Sequence, residues 1–279
     1  MLRISADSTC DLSQVLIEKY DVGITPLYIV MDGKSYRDAI EVTPDDVYAY
    51  VDRAKKIPST AAINVDEYLA YFGEQLKTHD GIVHFCISSE MSSCYQNACI
   101  AAREFDNVFV CDSRNLSTGI GHLVLIAAEL AAKGKTAKEI FDVVEARKDK
   151  LDVSFVLDTL RYLSLGGRCS SLMALGANLL NIKPSIQVAN GKMGVSKKYR
   201  CSFDRAVVRY INDKLAEPDT VDPFRIFITD SGCTEAIKDA AEEAVRAAVP
   251  FAEIYHTRAG CTISNHCGPN CIGILFFRK

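Results

Sequence analysis

No stretch of this chain approaches the roughly 18 consecutive apolar residues that a membrane-spanning helix needs. The opening MLRISADSTCDLS also lacks the basic-then-apolar order of a secretory signal, so a cytoplasmic location is expected. Positive charge is not in excess either: 32 Lys and Arg stand against 36 Asp and Glu, a formal net charge of -4. With no basic field to draw in a nucleic-acid backbone, that class of function is set aside. Internal repeats and low-complexity segments are both lacking. The 11 cysteines are an odd number without a signal segment, which argues against a disulfide framework. Cys86 and Cys111 fall inside apolar runs, where a free thiol behaves as a small hydrophobe.

Common catalytic signatures are missing as well. Gly134-Lys135-Thr136 suggests a nucleotide-binding loop, but Glu129 stands where that motif needs its first glycine, and a helical pattern precedes it instead of a strand. The triplet reads as a helix stop followed by a helix cap, so the chain is not expected to bind ATP alone. Cys261, His266, Cys267 and Cys271 match no common zinc spacing, and no metal is expected there. Ser92 or Ser93 with His266 would make a hydrolase pair, yet there is no G-x-S-x-G elbow and no third residue to orient the histidine. A lipid esterase using Ser92 remains a lesser alternative.

What is present is an α/β pattern. At 279 residues, with 48% hydrophobic and 24% charged residues, two globular domains are expected. Four short apolar runs end in Ser or Asp-Ser: Leu2–Ile4, Ile82–Ile87, Val108–Cys111 and Phe224–Thr229. Such runs fit buried parallel strands, and the Asp and Ser residues after them are expected to cap helices. Thr43-Pro44-Asp45-Asp46 and the capping box Thr136–Glu139 open further helices, and Gly119–Lys133 is an apolar helix closed by Gly134. A helix is expected from near Ser170 through Leu175–Leu180, ended by Lys183-Pro184. Later, Ile186–Val188, Gly191–Val195 and Ile272–Phe277 read as strands, with Asn190-Gly191 a hairpin turn. The expected domains are 1–150 and 151–279, a parallel-sheet α/β domain followed by a mixed-sheet α/β domain.

Two distant segments carry the strongest functional signal. Leu163–Val195 presents Arg168 after Gly166-Gly167, and Ile263–Phe277 presents His266 just before Gly268-Pro269. Each sets an ionisable side chain at a glycine-marked break beside an apolar run, an arrangement suited to holding a polar head while apolar walls hold a tail. Taken with ISADSTCDLS, ITPLYIVMDGKSYRD, the loop at Thr60, ISSEMSSCYQNA and VFVCDSRNLSTGIGHLV, these segments resemble the DegV family over nearly the whole chain. That family comprises bacterial fatty-acid-binding proteins, including the FakB subunits of fatty acid kinase.

The resemblance implies a two-domain DegV-like fold with one long-chain fatty acid between the domains. It implies that Thr60, Ser92 and His266 hold the carboxylate, with Ser93 in the serine loop and Arg168 near the head group. It further implies that Arg200 faces a separate kinase subunit. On this basis the chain is a carrier, not a stand-alone enzyme. No cofactor beyond the bound lipid is expected; a monomer is expected too, with transient contact with a membrane surface open to it. A lipid sensor or storage protein without a kinase is the alternative. The chain departs from the family pattern at Ser92-Ser93-Cys94, where Ser-Gly-Thr is usual, at Ala61-Ala62, where Ser-Gln is usual, and at Ala6, where Thr is common.

Overall fold

The computed structural model describes residues 1–169 and 182–279. The helix expected over Ser170–Leu180, and with it the stop assigned to Lys183-Pro184, lies outside the described residues; Lys183 and Pro184 themselves begin a strand. In chain order the elements open with β1 (Leu2–Asp7), α1 (Gln14–Lys19), β2 (Gly23–Thr25), β3 (Tyr28–Met31) and β4 (Lys34–Arg37). Next come α2 (Pro44–Ala54), β5 (Ser59–Ala61), α3 (Val65–Gln75), β6 (Gly81–Cys86) and α4 (Cys94–Ala102). Then follow β7 (Val108–Asp112), α5 (Thr118–Ala132), α6 (Ala137–Arg147), β8 (Leu151–Leu157) and α7 (Arg161–Gly166). The last are β9 (Lys183–Ala189), β10 (Lys192–Tyr199), α8 (Phe203–Lys214), β11 (Val221–Asp230), α9 (Glu235–Ala248), β12 (Glu253–Arg258), α10 (Cys261–Cys267) and β13 (Cys271–Arg278).

These elements form two compact units. The first comprises Met1–Thr43, Pro58–Asp149 and Gly260–Thr262; the second comprises Pro44–Ile57, Lys150–Ala259 and Ile263–Lys279. The first unit holds a four-stranded parallel sheet in the order β2-β1-β6-β7. Every residue of β6 is buried, as a strand covered on both faces requires. A second, antiparallel sheet of order β4-β3-β5 was not anticipated. Its signal was legible: Asp32 and Gly33, both with positive φ, make the two-residue turn joining β3 to β4.

The second unit is built on a mixed six-stranded sheet, order β10-β9-β8-β13-β11-β12, in which only β11 and β12 run parallel. β11 therefore sits beside an antiparallel β13, unlike the three parallel strands with which its sequence grouped it. Asn190 and Gly191 close the β9–β10 hairpin with positive φ, as expected. Ala206, Val207, Tyr210 and Ile211 of α8 and Ala241 and Val245 of α9 pack on Ile226, Ile228, Ile274 and Phe276 of the sheet.

Capping is only partly where the sequence put it. The box at Thr136–Glu139 forms, and so does one at Asn64–Glu67. Asp7 accepts the Thr9 N–H at 3.1 Å. Asp112 and Asp230, by contrast, do not cap the helices that follow their strands. Asp112 Oδ1 accepts the amides of Ser89 and Arg114, and Asp230 Oδ1 those of Gly232 and Cys233. The helices begin later, at Thr118 and Glu235. A short polar side chain at a strand end meets several loop amides before any helix starts, so the turn takes it first.

Candidate functional site

Thr60 lies at the centre of β5, opposite Ile29 of β3, and is half-buried. Four residues later Asn64 caps α3, which confines the loop between them to a few residues. The serine loop starts where β6 ends. Asp7 Oδ2 accepts the Ile87 N–H at 2.8 Å, Ser88 N–H donates to the Asn115 carbonyl at 2.9 Å, and Ser92 N–H donates to the Ser88 carbonyl at 3.2 Å. The two loops of this unit are tied together, because Asn97 Nδ2 donates to the Ile63 carbonyl at 2.7 Å.

Ser92 is half-buried and faces the start of α4. Its Oγ accepts the Cys94 N–H at 3.3 Å and donates to Cys94 Sγ at 3.2 Å. Burial is the main cause that pushes the Cys94 thiol up to about 11, so it stays protonated at neutral pH. Ser93 is exposed at the N-cap of α4 and makes no capping hydrogen bond with its side chain. This loop therefore offers two hydroxyls beside a helix N-terminus, which favours an anion through its amides and dipole.

In the second unit, α7 ends at Gly166 and Gly167 closes it in the left-handed region, φ 68°. The exposed Arg168 donates from Nη1 to the Gly166 carbonyl at 2.8 Å. His266 stands in the last turn of α10, its ring pressed against Gly166: a Cβ built there would lie 2.4 Å from Nδ1. Burial, with the Arg168 charge second, holds the imidazole down at about 4. At pH 7 it is neutral and carries one N–H donor without a buried charge.

The turn after His266 is locked on both sides. Gly268 has φ 76° and donates to the Ser264 carbonyl at 2.8 Å, and a Cβ on it would sit 2.5 Å from the Tyr162 ring of α7. The Tyr162 ring meets Tyr48 edge-on at 6.3 Å. The structure thus brings Arg168 and His266 together in one unit, and the Thr60 and Ser92–Ser93 loops together in the other. Arg200 is exposed immediately after β10. Asn97, Asp7 and Tyr162 were missed as supports. Only Asp7 had a signal, as the acid ending a strand, and it pointed to capping alone.

Among the described residues no group of three or more His, Cys, Asp or Glu is placed to hold a metal ion. Nor is any described helix long and apolar enough to cross a membrane. Cys261 Sγ donates to the Val42 carbonyl, and Cys233 Sγ to that of Cys271.

The sequence model of the DegV family, described as uncharacterised proteins, matches residues 1–279. The chain belongs to the DegV family. A DegV domain-containing protein of Clostridium perfringens is 34% identical over 282 residues, covering 100% of this chain and 99% of that one. One from Caldanaerobacter subterraneus is 31% identical over 283 residues, with the same coverage. Among solved structures, a DegV family protein of Thermus thermophilus described for its fatty-acid binding superposes with a TM-score of 0.92 at 28% identity, covering 100% and 99%. DegV of Bacillus subtilis, described as a fatty-acid-binding protein, superposes at 0.85 with 26% identity and the same coverage. A stearic-acid-binding protein of Eubacterium ventriosum does so at 0.86 with 25% identity, again over 100% and 99%. Fatty-acid binding is thus a property described for several members of this DegV fold.

Proposed function

We propose that this chain binds one long-chain fatty acid and presents its carboxylate to a separate ATP-dependent kinase, which forms an acyl phosphate. The observation that carries the proposal is His266, a neutral imidazole set against Gly166 with Arg168 beside it. A carboxylate taken out of water needs donors, since an unpaired buried charge costs several kcal/mol. The Thr60 and Ser92 hydroxyls and one imidazole N–H supply them without a full buried ion pair, and Ser93 adds a second hydroxyl at the start of α4. Burying the tail contributes about 0.8 kcal/mol per methylene, on the order of 11 kcal/mol gross for roughly 14 methylenes. Association and ordering offset a large part of it.

The serine loop suits this role despite its departure from the family pattern. The Ser92 hydroxyl rests on a thiol, a weak hydrogen-bonding partner, and loses little by turning to a carboxylate. Arg168 is exposed and steadies the charge that develops at the phosphoryl group, since such transfers depend on positioning and charge stabilisation. Arg200, exposed after β10, faces the kinase.

Denaturing mass spectrometry of an organic extract from the untreated protein tests the binding step. One stoichiometric fatty acid supports it; an empty extract, with no thermal shift on adding palmitic or oleic acid, removes it. Acyl-phosphate formation with a kinase subunit, lost in Arg168→Ala, supports the carrier role. Bound lipid without such product leaves a lipid sensor or storage protein.

A further inference from the structure

The chain returns to the first unit for only three residues late in its course, Gly260–Thr262. Two buried carboxylates receive the backbone amides of that stretch and the Thr262 hydroxyl. Asp11 Oδ1 accepts the Gly260 N–H at 2.9 Å, while its Oδ2 accepts the Ser117 hydroxyl at 2.6 Å. Asp38 Oδ1 accepts the Cys261 N–H at 2.9 Å, and its Oδ2 accepts the Thr262 N–H at 3.0 Å and the Thr262 hydroxyl at 2.6 Å. Asp38 is 1% exposed and is itself held: Ser8 Oγ donates to it at 3.2 Å, and its N–H donates to the Leu27 carbonyl at 2.8 Å. The fit is close, since a Cβ on Gly260 would stand 3.0 Å from Asp11 Oδ1.

Cys261 and Thr262 open α10, the seven-residue helix whose last turn carries His266. A helix this short does not hold itself, because its nucleation cost exceeds what one or two internal turns return. Its course is set by its anchors. The rear anchor is the Gly268 turn against Tyr162. The front anchor comes from a side chain more than two hundred residues earlier, which satisfies the amides that begin the helix. We infer that Asp38, backed by Asp11, is a positioning residue for His266: it fixes the start of α10 and thereby the place of the imidazole against Gly166. This rests on the reading of His266 as a head-group donor.

The test uses the full chain with Asp38→Asn and Thr262→Val, the second removing one hydroxyl donor at little risk to folding. Two quantities are read: the His266 imidazole titration by NMR, and the dissociation constant for palmitic acid. Tyr210→Phe, which perturbs the second unit's core elsewhere, serves as the control for general destabilisation. In folded Asp38→Asn the titration is expected to move from about 4 toward the ordinary 6.5. Palmitate affinity is expected to fall about tenfold, with a smaller change of the same kind in Thr262→Val and none in Tyr210→Phe. A wild-type His266 titration in folded Asp38→Asn, or in Thr262→Val should Asp38→Asn not fold, overturns the inference. If wild-type protein binds no palmitate while the titration still moves, the positioning role stands and the fatty-acid reading fails.

Discussion

Gly166→Ala separates the place of the His266 ring from the stability of the fold. A Cβ at this position would lie 2.4 Å from His266 Nδ1, where ordinary contact begins near 3.4 Å, so the ring must retreat by about 1 Å. The backbone does not resist the change. Gly166 is the last residue of α7 and needs no positive φ, and alanine is favoured over glycine in a helix by about 1 kcal/mol. A hydrogen bond from the imidazole to a carboxylate is worth about 1.5–3 kcal/mol, and a displacement of this size removes most of it. The dissociation constant for palmitic acid should therefore weaken about 10- to 100-fold. Isothermal titration calorimetry reads the affinity, and urea unfolding of the same samples reads the stability, which should fall by no more than about 2 kcal/mol, an overpacking cost of about 1–3 kcal/mol less the helix preference for alanine. Gly167→Ala is the mirror experiment. Gly167 has φ 68° and open space around its Cβ direction, so alanine there costs about 1–2 kcal/mol of stability while leaving the ring untouched. Wild-type affinity in Gly166→Ala would refute the assignment of His266 to the head group.

Three further outcomes follow from buried polar groups and turns. His84 is wholly buried among Tyr68, Tyr71 and Phe72, and burial holds it down at about 3. Its folded value lies below the unfolded one, so the stability it contributes is present above pH 6.5 and lost as pH falls toward about 3. Replacing it with Phe should flatten the urea-derived stability curve over that window by up to about 1.4 kcal/mol per pH unit relative to wild type. Asp7, raised to about 6 by burial, slopes the opposite way in both proteins and cancels in the difference. The Tyr210 hydroxyl donates to the Ser154 carbonyl at 2.6 Å and accepts the Ile274 N–H at 3.1 Å. Tyr210→Phe should therefore cost about 1–3 kcal/mol in urea unfolding. Gly268→Ala combines a positive φ with a clash against Tyr162, and should lower both the unfolding midpoint and palmitate affinity.

Local physics made much of this chain legible before any coordinates. Continuous apolar runs marked β1, β6 and β7, since a strand covered on both faces has no polar side to reveal. Asn190-Gly191 marked the β9–β10 hairpin, and Thr136 with Glu139 marked the start of α6, because both signals are complete within four residues. Arg168 and His266 stood out by their glycine-flanked settings, and the resemblance of whole segments carried the family. The direction of β11's neighbours was not written locally, because antiparallel pairing with β13 joins residues about 45 positions apart. Nor could the sequence say that Asp112 and Asp230 would serve loop amides, since the choice between a turn and a cap depends on which donors the fold brings within 3 Å. The tertiary structure alone decided that Gly166 touches His266, that Asn97 ties the serine loop to the threonine loop, and that Asp38 caps a helix more than two hundred residues away. Each of these is a contact between distant segments, set by packing and by the need of every buried polar hydrogen for an acceptor, and no short stretch of sequence contains both partners.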